Sequence, residues 1–289
     1  MRNLINIIDI GTGSIKASLF NCKGEACQQV AFRSIDIRMV DQVSKEINGD
    51  KQNLAVKAIK SLISFGQEKG TKEVVCVATY GVRSAKNGGK FLAKVKVETG
   101  IDVCLLTGFE EARLICDSVK NTEETENFWA MDMGGGSVEF NIFNGTHIFS
   151  MSKSIGTISI ANILHSKQLN PSLGNIAEII YENTGDIPFP AQDAEIICTG
   201  GCISIAKQFL TISEKVVSIG KLKALFEKVS PMSAEERLAF GIPQGKVDIF
   251  AIGLAIPIAV LTLLKREKIT ISTANVRHGV ALNRALFMR

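Results

Sequence analysis

Histidine, tryptophan and tyrosine are scarce in this chain, with three, one and two copies in 289 residues. His147, His165 and His278 share no spacing, which argues against a Ser/His/Asp hydrolase. Basic residues interleaved with aromatics are missing, so nucleic-acid binding is not expected; the single Trp129 reads as core. No apolar run reaches the roughly 20 residues that a membrane-spanning helix needs. The best candidate, 249–264, has no charged residue but is sixteen residues long and contains Pro257, so a buried core helix is expected. Asn3, Asn6 and Asp9 interrupt the apolar start directly after Arg2, so no signal peptide is expected and the reading is a cytoplasmic protein without membrane contact. The seven cysteines are odd in number and scattered. Cys76, Cys104 and Cys198 fall in runs that read as buried strands, and Cys198 and Cys202 lack the further ligands of a zinc site. A reduced chain follows as the default.

What is present is ordinary globular material, 46% hydrophobic and 21% charged, enough for two domains. The formal net charge of +4 is compatible with a polyanionic substrate without requiring one. The most informative feature is an internal repeat. Residues 8–20 (Ile-Asp-Ile-Gly-Thr-Gly-Ser-Ile-Lys-Ala-Ser-Leu-Phe) align with 131–143 (Met-Asp-Met-Gly-Gly-Gly-Ser-Val-Glu-Phe-Asn-Ile-Phe) at a constant offset of 123 residues. Each copy predicts a strand, a glycine-rich turn and a second strand. Glycine allows close backbone approach to a ligand, and successive N–H groups in such a turn form an anion-binding concavity. An aspartate ending the first strand can hold a hydrated cation against the same anion. The alternative, a merely tight hairpin, would suit one copy better than two.

Around the hairpins the pattern is α/β. In the first half, strands are predicted at 73–78 and 102–106, with helices at 52–68, 91–98 and 110–119. In the second, helices are predicted at 158–164 and 173–183 and a strand at 194–199. The polar, aperiodic segment 121–127 is the expected boundary between domains 1–120 and 121–289. Hairpins followed by helix-linked strands, twice, predict two similar α/β domains with a cleft between them.

Beyond the two hairpins, the chain carries Ala-Thr-x-x-Val-Arg-x-Ala-x-Asn at 78–87, Thr-Gly-Phe-Glu-Glu-Ala-Arg-Leu-Ile at 107–115, Thr-Gly-Gly at 199–201 and Val-Arg-His-Gly at 276–279. With Asp-Ile-Gly-Thr-Gly-Ser at 9–14 and Asp-Met-Gly-Gly-Gly-Ser-Val-Glu at 132–139, these resemble the exopolyphosphatase/guanosine pentaphosphate phosphatase (Ppx/GppA) family in its short two-domain form. The resemblance implies two ribonuclease-H-like domains of the actin, hexokinase and heat-shock-chaperone superfold. It also implies Mg²⁺ (or Mn²⁺) and a polyphosphate or guanosine pentaphosphate substrate losing its terminal phosphate; a homodimer would extend the binding surface. Departures at Gly13, Tyr80-Gly81, Lys246 and His278 bear on substrate preference.

Phosphoanhydride hydrolysis needs charge neutralisation, an aligned water and a phosphate cradle. Asp132 and Glu139, with Asp9, are the candidate metal-side carboxylates. Lys16 stands where Glu139 does in the other copy, so the hairpin itself does not need that charge. By the resemblance Glu111 is the water-activating base. Thr107 and Glu110 have capping-box spacing, which gives Glu110 a structural task and leaves Glu111 available. Thr12, Gly13 and Ser14, and Gly134, Gly135, Gly136 and Ser137, would cradle phosphates; Arg83 would bind phosphate bidentately. Gly200 and Gly201 would approach a base or sugar if the substrate is a nucleotide. Two rivals share the fold: a phosphotransferase, which needs an acceptor pocket, and a nucleotide-binding module without turnover.

Overall fold

The computed structural model describes residues 4–24, 26–41, 44–210 and 215–287, so Arg2 and Asn3 lie outside the described residues. Two compact units emerge. One comprises the described residues of Met1–Ser118 together with those of Asn275–Arg289; the other is Val119–Ala274. The sequence reading assigned 275–289 to the second domain. The structure groups it with the first, because the last helix contacts the first three strands.

The first unit opens with β1 (Leu4–Ile10), β2 (Ser14–Lys23) and β3 (Ala26–Asp36), followed by α1 (Gly49–Glu68) and β4 (Glu73–Ala78). Then come α2 (Tyr80–Arg83), α3 (Gly88–Thr99), β5 (Val103–Leu105) and α4 (Gly108–Glu123). Among the described residues its sheet has the order β3-β2-β1-β4-β5, antiparallel in the hairpins and parallel where helices intervene. That split follows from the connections: tight turns force antiparallel pairing, whereas a helical crossover permits parallel pairing. Ile8, Ile10 and Ile15 pack with Ile59 and Leu62 of α1 in one core.

The second unit contains β6 (Asn127–Met133), β7 (Val138–Asn144), β8 (Thr146–Lys153), α5 (Thr157–Ser166), α6 (Leu173–Thr184) and β9 (Glu195–Gly200). It continues through α7 (Gly201–Phe209), β10 (Val216–Ser218), α8 (Ile219–Val229), α9 (Ala234–Ala239), α10 (Phe250–Leu263) and β11 (Lys268–Ile271); α11 (Val276–Leu282) then returns to the first unit. The sheet order β10-β11-β9-β6-β7-β8 repeats that of the first unit, with β8-β7-β6-β9-β11 standing for β3-β2-β1-β4-β5. The repeat seen in the sequence is thus a repeat of topology.

The apolar segment around Pro257 forms α10, buried along nearly its whole length against α6 and α8. Burying each such Leu or Ile contributes roughly 1.5–3 kcal/mol. Among the described residues, no helix is long and apolar enough to cross a membrane. Three expectations need correction. Residues 121–127 are not all linker, since α4 runs on to Glu123 and the boundary between units falls inside that helix. Cys104 is exposed, because β5 is an edge strand. Cys22 and Cys27 form a disulfide: the β2–β3 register sets them opposite each other, with Cα atoms 4.2 Å apart.

Candidate active site

In the first unit, Asp9 stands at the penultimate position of β1, opposite Lys16, and the chain turns at once. The Gly11 N–H donates to the Ser14 carbonyl (3.1 Å), closing the turn. The Thr12 and Gly13 carbonyls accept from the N–H groups of Met39 (3.0 Å) and Ile37 (3.1 Å). In a planar trans peptide the N–H points opposite to the C=O, so the amides of Gly13 and Ser14 face away from that segment. Gly81, at the start of α2, backs the turn. A Cβ there would lie 2.7 Å from the Thr12 Cα, which explains glycine at a position singled out as a departure.

The second unit builds the same turn with different support. The Gly134 N–H donates to the Ser137 carbonyl (2.9 Å). The carbonyls of Gly134, Gly135 and Gly136 accept from the N–H groups of Thr157, Ile158 and Gly156, the latter two at 2.7 and 3.1 Å, and Ser159 Oγ adds a bond to Gly136 (2.7 Å). By the same peptide geometry the amides of Gly135, Gly136 and Ser137 turn away from α5, as an anion cradle requires. Gly156 makes this docking feasible, since a Cβ would lie 2.6 Å from the backbone of Gly135 and Gly136. Sequence reasoning did not pick out Gly156.

Asp132 and Glu139 are directly opposite in the β6–β7 register, hence on one face of the sheet. Thr199 Oγ1 makes a short hydrogen bond to Asp132 Oδ1, and Ser152 Oγ donates to Glu139 Oε1 (2.7 Å). Adjacent cross-strand carboxylates repel unless a cation relieves them. Two carboxylates with open water positions are also the usual protein contribution to a Mg²⁺ site. The donor set therefore fits Mg²⁺. Among the described residues, no cluster of three or more His, Cys, Asp or Glu side chains that could hold a metal gathers, so the two carboxylates stand as a pair. In the first unit, Asp9 is a buried carboxylate whose Oδ1 has no hydrogen-bond partner among the described residues.

The helix α4 begins with the capping box that its spacing predicts. The Glu110 carboxylate accepts from the Thr107 N–H (2.7 Å), while the Glu110 N–H donates to Thr107 Oγ1 (3.2 Å). Glu110 is spent at the surface. Glu111 is buried at 6% exposure, and its Oε2 accepts from Arg83 Nη1 at 3.0 Å. Arg83 also donates to the Leu106 carbonyl (2.7 Å) and lies over the Tyr80 ring, 5.7 Å from its centroid. The structure thus joins Glu111, Arg83 and, through α2, the Thr12 turn.

Gly200 takes φ +121° and packs on Met133, where a Cβ would lie 2.4 Å from the carbonyl oxygen; Gly201 has open space apart from the Lys246 stem. Gly200 therefore has a packing task whatever binds nearby. Cys76 and Cys198, beside Asp9 and Asp132, have their pKa values pushed up by burial and, secondarily, by those carboxylates. The histidines lie apart. His147 bonds Ser150 (2.8 Å), His165 is exposed, and His278 stacks on Phe20 with its pKa pushed down by burial. A cavity of about 490 Å³ beside β1, β2 and β3, lined by Leu4, Leu19, Asn21, Val30, Ala31 and Lys69, holds none of the candidate site groups. The hydroxyls that hold the two candidate carboxylates were missed by sequence reasoning: Thr199 was named only within a motif, and the partnership of Ser152 with Glu139 depends on strand register.

Comparison with known proteins agrees with this geometry. The model of the Ppx/GppA phosphatase family matches residues 14–287. The fold resembles the Aquifex aeolicus Ppx/GppA family member at 22% identity, over 98% of this chain and 97% of that one, with a TM-score of 0.80. It also resembles an exopolyphosphatase from Cytophaga hutchinsonii at 21% identity, over 97% and 98% of the two chains, with a TM-score of 0.84. The ethanolamine utilization protein EutJ from Carboxydothermus hydrogenoformans shares the architecture more distantly, at 12% identity over 98% and 89% and a TM-score of 0.50. Repeated sheet, glycine-rich turns and family match agree, and the chain belongs to the Ppx/GppA phosphatase family.

Proposed function

We propose that this phosphatase releases terminal orthophosphate from inorganic polyphosphate or guanosine pentaphosphate, with Glu111 activating the attacking water. The observation that carries the reading is the division of labour at the start of α4. Glu110 closes the capping box, while Glu111 is buried beside Arg83, whose Nη1 donates to its carboxylate. A first-turn carboxylate is favoured in its ionised form by the helix dipole, as a base must be.

In this reading Glu111 accepts the proton of the attacking water, and Arg83 stabilises charge on the phosphoryl oxygens. The amides of Gly135, Gly136 and Ser137 bind the terminal phosphate, and those of Gly13 and Ser14 hold phosphate oxygens likewise. Asp132 and Glu139 would hold Mg²⁺, which supplies neutralisation of the phosphate charge, and Asp9 is the candidate metal-side carboxylate of the first unit. Gly201 is the open position at which a nucleoside would meet the backbone.

The test is Mg²⁺-dependent phosphate release from long polyphosphate, short polyphosphate and guanosine pentaphosphate by wild type and Glu111→Gln. Release from one of them, reduced about 10³-fold in the variant with an unchanged melting curve, is the expected result. No release from any substrate by folded wild type, or ATP consumption that requires an acceptor, would overturn it.

A further inference from the structure

The two aspartates at the penultimate positions of β1 and β6 are held by different partners. Beside Asp132, in the parallel neighbour β9, stands Thr199, whose hydroxyl bonds the carboxylate. Beside Asp9, in β4, stands Val77, which has no donor to offer. The missing bond is supplied from 268 residues away: Arg277 of α11 donates through Nη1 to Asp9 Oδ2 at 3.2 Å and through Nε to Ser18 Oγ at 2.8 Å. Its guanidinium also lies 5.4 Å from the centroid of Phe32. Ser18 pairs with Ile7 on one side and Phe32 on the other, so Arg277 lies across β1, β2 and β3 at once.

The helix carrying it is fixed in place. The Asn275 N–H donates to Ser118 Oγ (3.1 Å), and Asn283 Nδ2 donates to Asp117 (3.0 Å). Gly279 packs so closely on α4 that a Cβ would lie 2.0 Å from the Leu114 carbonyl oxygen. Asp9 and Arg277 are each under 10% exposed, so the pair is set by packing rather than by a mobile surface contact.

We propose that Arg277 is a positioning residue for phosphate hydrolysis: it occupies one oxygen of Asp9, fixes the carboxylate plane, and leaves the other oxygen for the phosphate-bound cation or its water. The inference rests on the proposed function for its catalytic consequence but not for its metal-binding one. A guanidinium on Oδ2 prevents Asp9 from turning both oxygens to a cation, and its charge opposes the cation's own. Removing it should tighten metal binding while slowing turnover. An ion pair that only glued α11 to the sheet would give no such opposition.

The test is Mn²⁺ binding, followed by electron paramagnetic resonance on the full chain, together with kcat for phosphate release. Arg277→Met is expected to bind Mn²⁺ about fivefold more tightly and to lose about tenfold in kcat. Arg277→Lys, which keeps the charge but not the planar fork, is expected to bind Mn²⁺ like wild type with kcat down about threefold. Breaking a buried pair is destabilising. If Arg277→Met does not accumulate folded, Ser18→Ala decides, with both changes expected in the same opposed directions at about twofold. Unchanged or weakened Mn²⁺ binding in these neutral variants would overturn the proposal. Wild type that binds Mn²⁺ but turns over no substrate would sink the proposed function instead, and the Mn²⁺ shifts alone would then decide this inference.

Discussion

The two hairpins share a backbone and differ in what surrounds it. Both carry aspartate at the penultimate position of their first strand, and both close the turn with a glycine N–H to a serine carbonyl, Gly11 to Ser14 and Gly134 to Ser137. Opposite the aspartate, however, the first carries Lys16 and the second Glu139. The first turn is backed by the sharp entry to α2 at Gly81, the second by the N-terminus of α5 at Gly156. One aspartate is held by an arginine from the far end of the chain, the other by a threonine on the adjacent strand. Shared features are those the turn needs to exist. The differing ones set its charge: the second hairpin gathers two carboxylates on one face, and the first offsets its single acid with cations.

The most severe way to break this contrast is to neutralise Glu139. Glu139→Gln keeps an acceptor for Ser152 and removes the second negative charge, so phosphate release should fall about 100-fold and need more Mg²⁺. An unaltered Mg²⁺ dependence would remove Glu139 from the metal side. Gly156→Ala attacks the backing of the turn. Its methyl meets backbone rather than a flexible side chain, so about 2 kcal/mol of stability should be lost in urea unfolding, with activity lost alongside. Gly81→Ala should behave similarly at the first turn.

A gentler change makes the second hairpin resemble the first. Thr199→Val replaces the donor to Asp132 with the residue type found beside Asp9, and no arginine stands in for it. About tenfold of kcat should go, with little change in melting temperature. The smallest effect concerns the thiols beside the two acids. Folding raises the pKa values of Cys76 and Cys198, so their contribution is fully present below the unfolded value of about 8.5 and declines as pH rises above it. Unfolding free energy should fall by up to about 1.4 kcal/mol per pH unit for each thiol there, and Cys76→Ala should flatten part of that slope.

Much of this was legible in the chain itself. The strand at 73–78 is β4 residue for residue, and Thr107 with Glu110 forms the capping box that their spacing announces. Other features were not. Segment 121–127 looks like a linker because it is polar, yet three of its residues continue α4. The odd, scattered cysteines suggest reduced thiols, yet the β2–β3 register brings Cys22 and Cys27 together. Nothing local marks Arg277 as a partner of Asp9, because a contact spanning 268 residues has no periodicity to betray it.

By itself, then, the sequence determined the repeat, the α/β alternation, the glycine-rich turns and the capping task of Glu110. These depend on side-chain period, turn chemistry and spacing within a few residues, which the chain carries locally. Only the tertiary structure decided that residues 275–289 return to the first unit, that Gly156 seats the second turn on α5, and that Thr199 and Arg277 hold the two aspartates. Those depend on which surfaces meet when helices cover a sheet, a matter of packing and register between segments far apart in the chain.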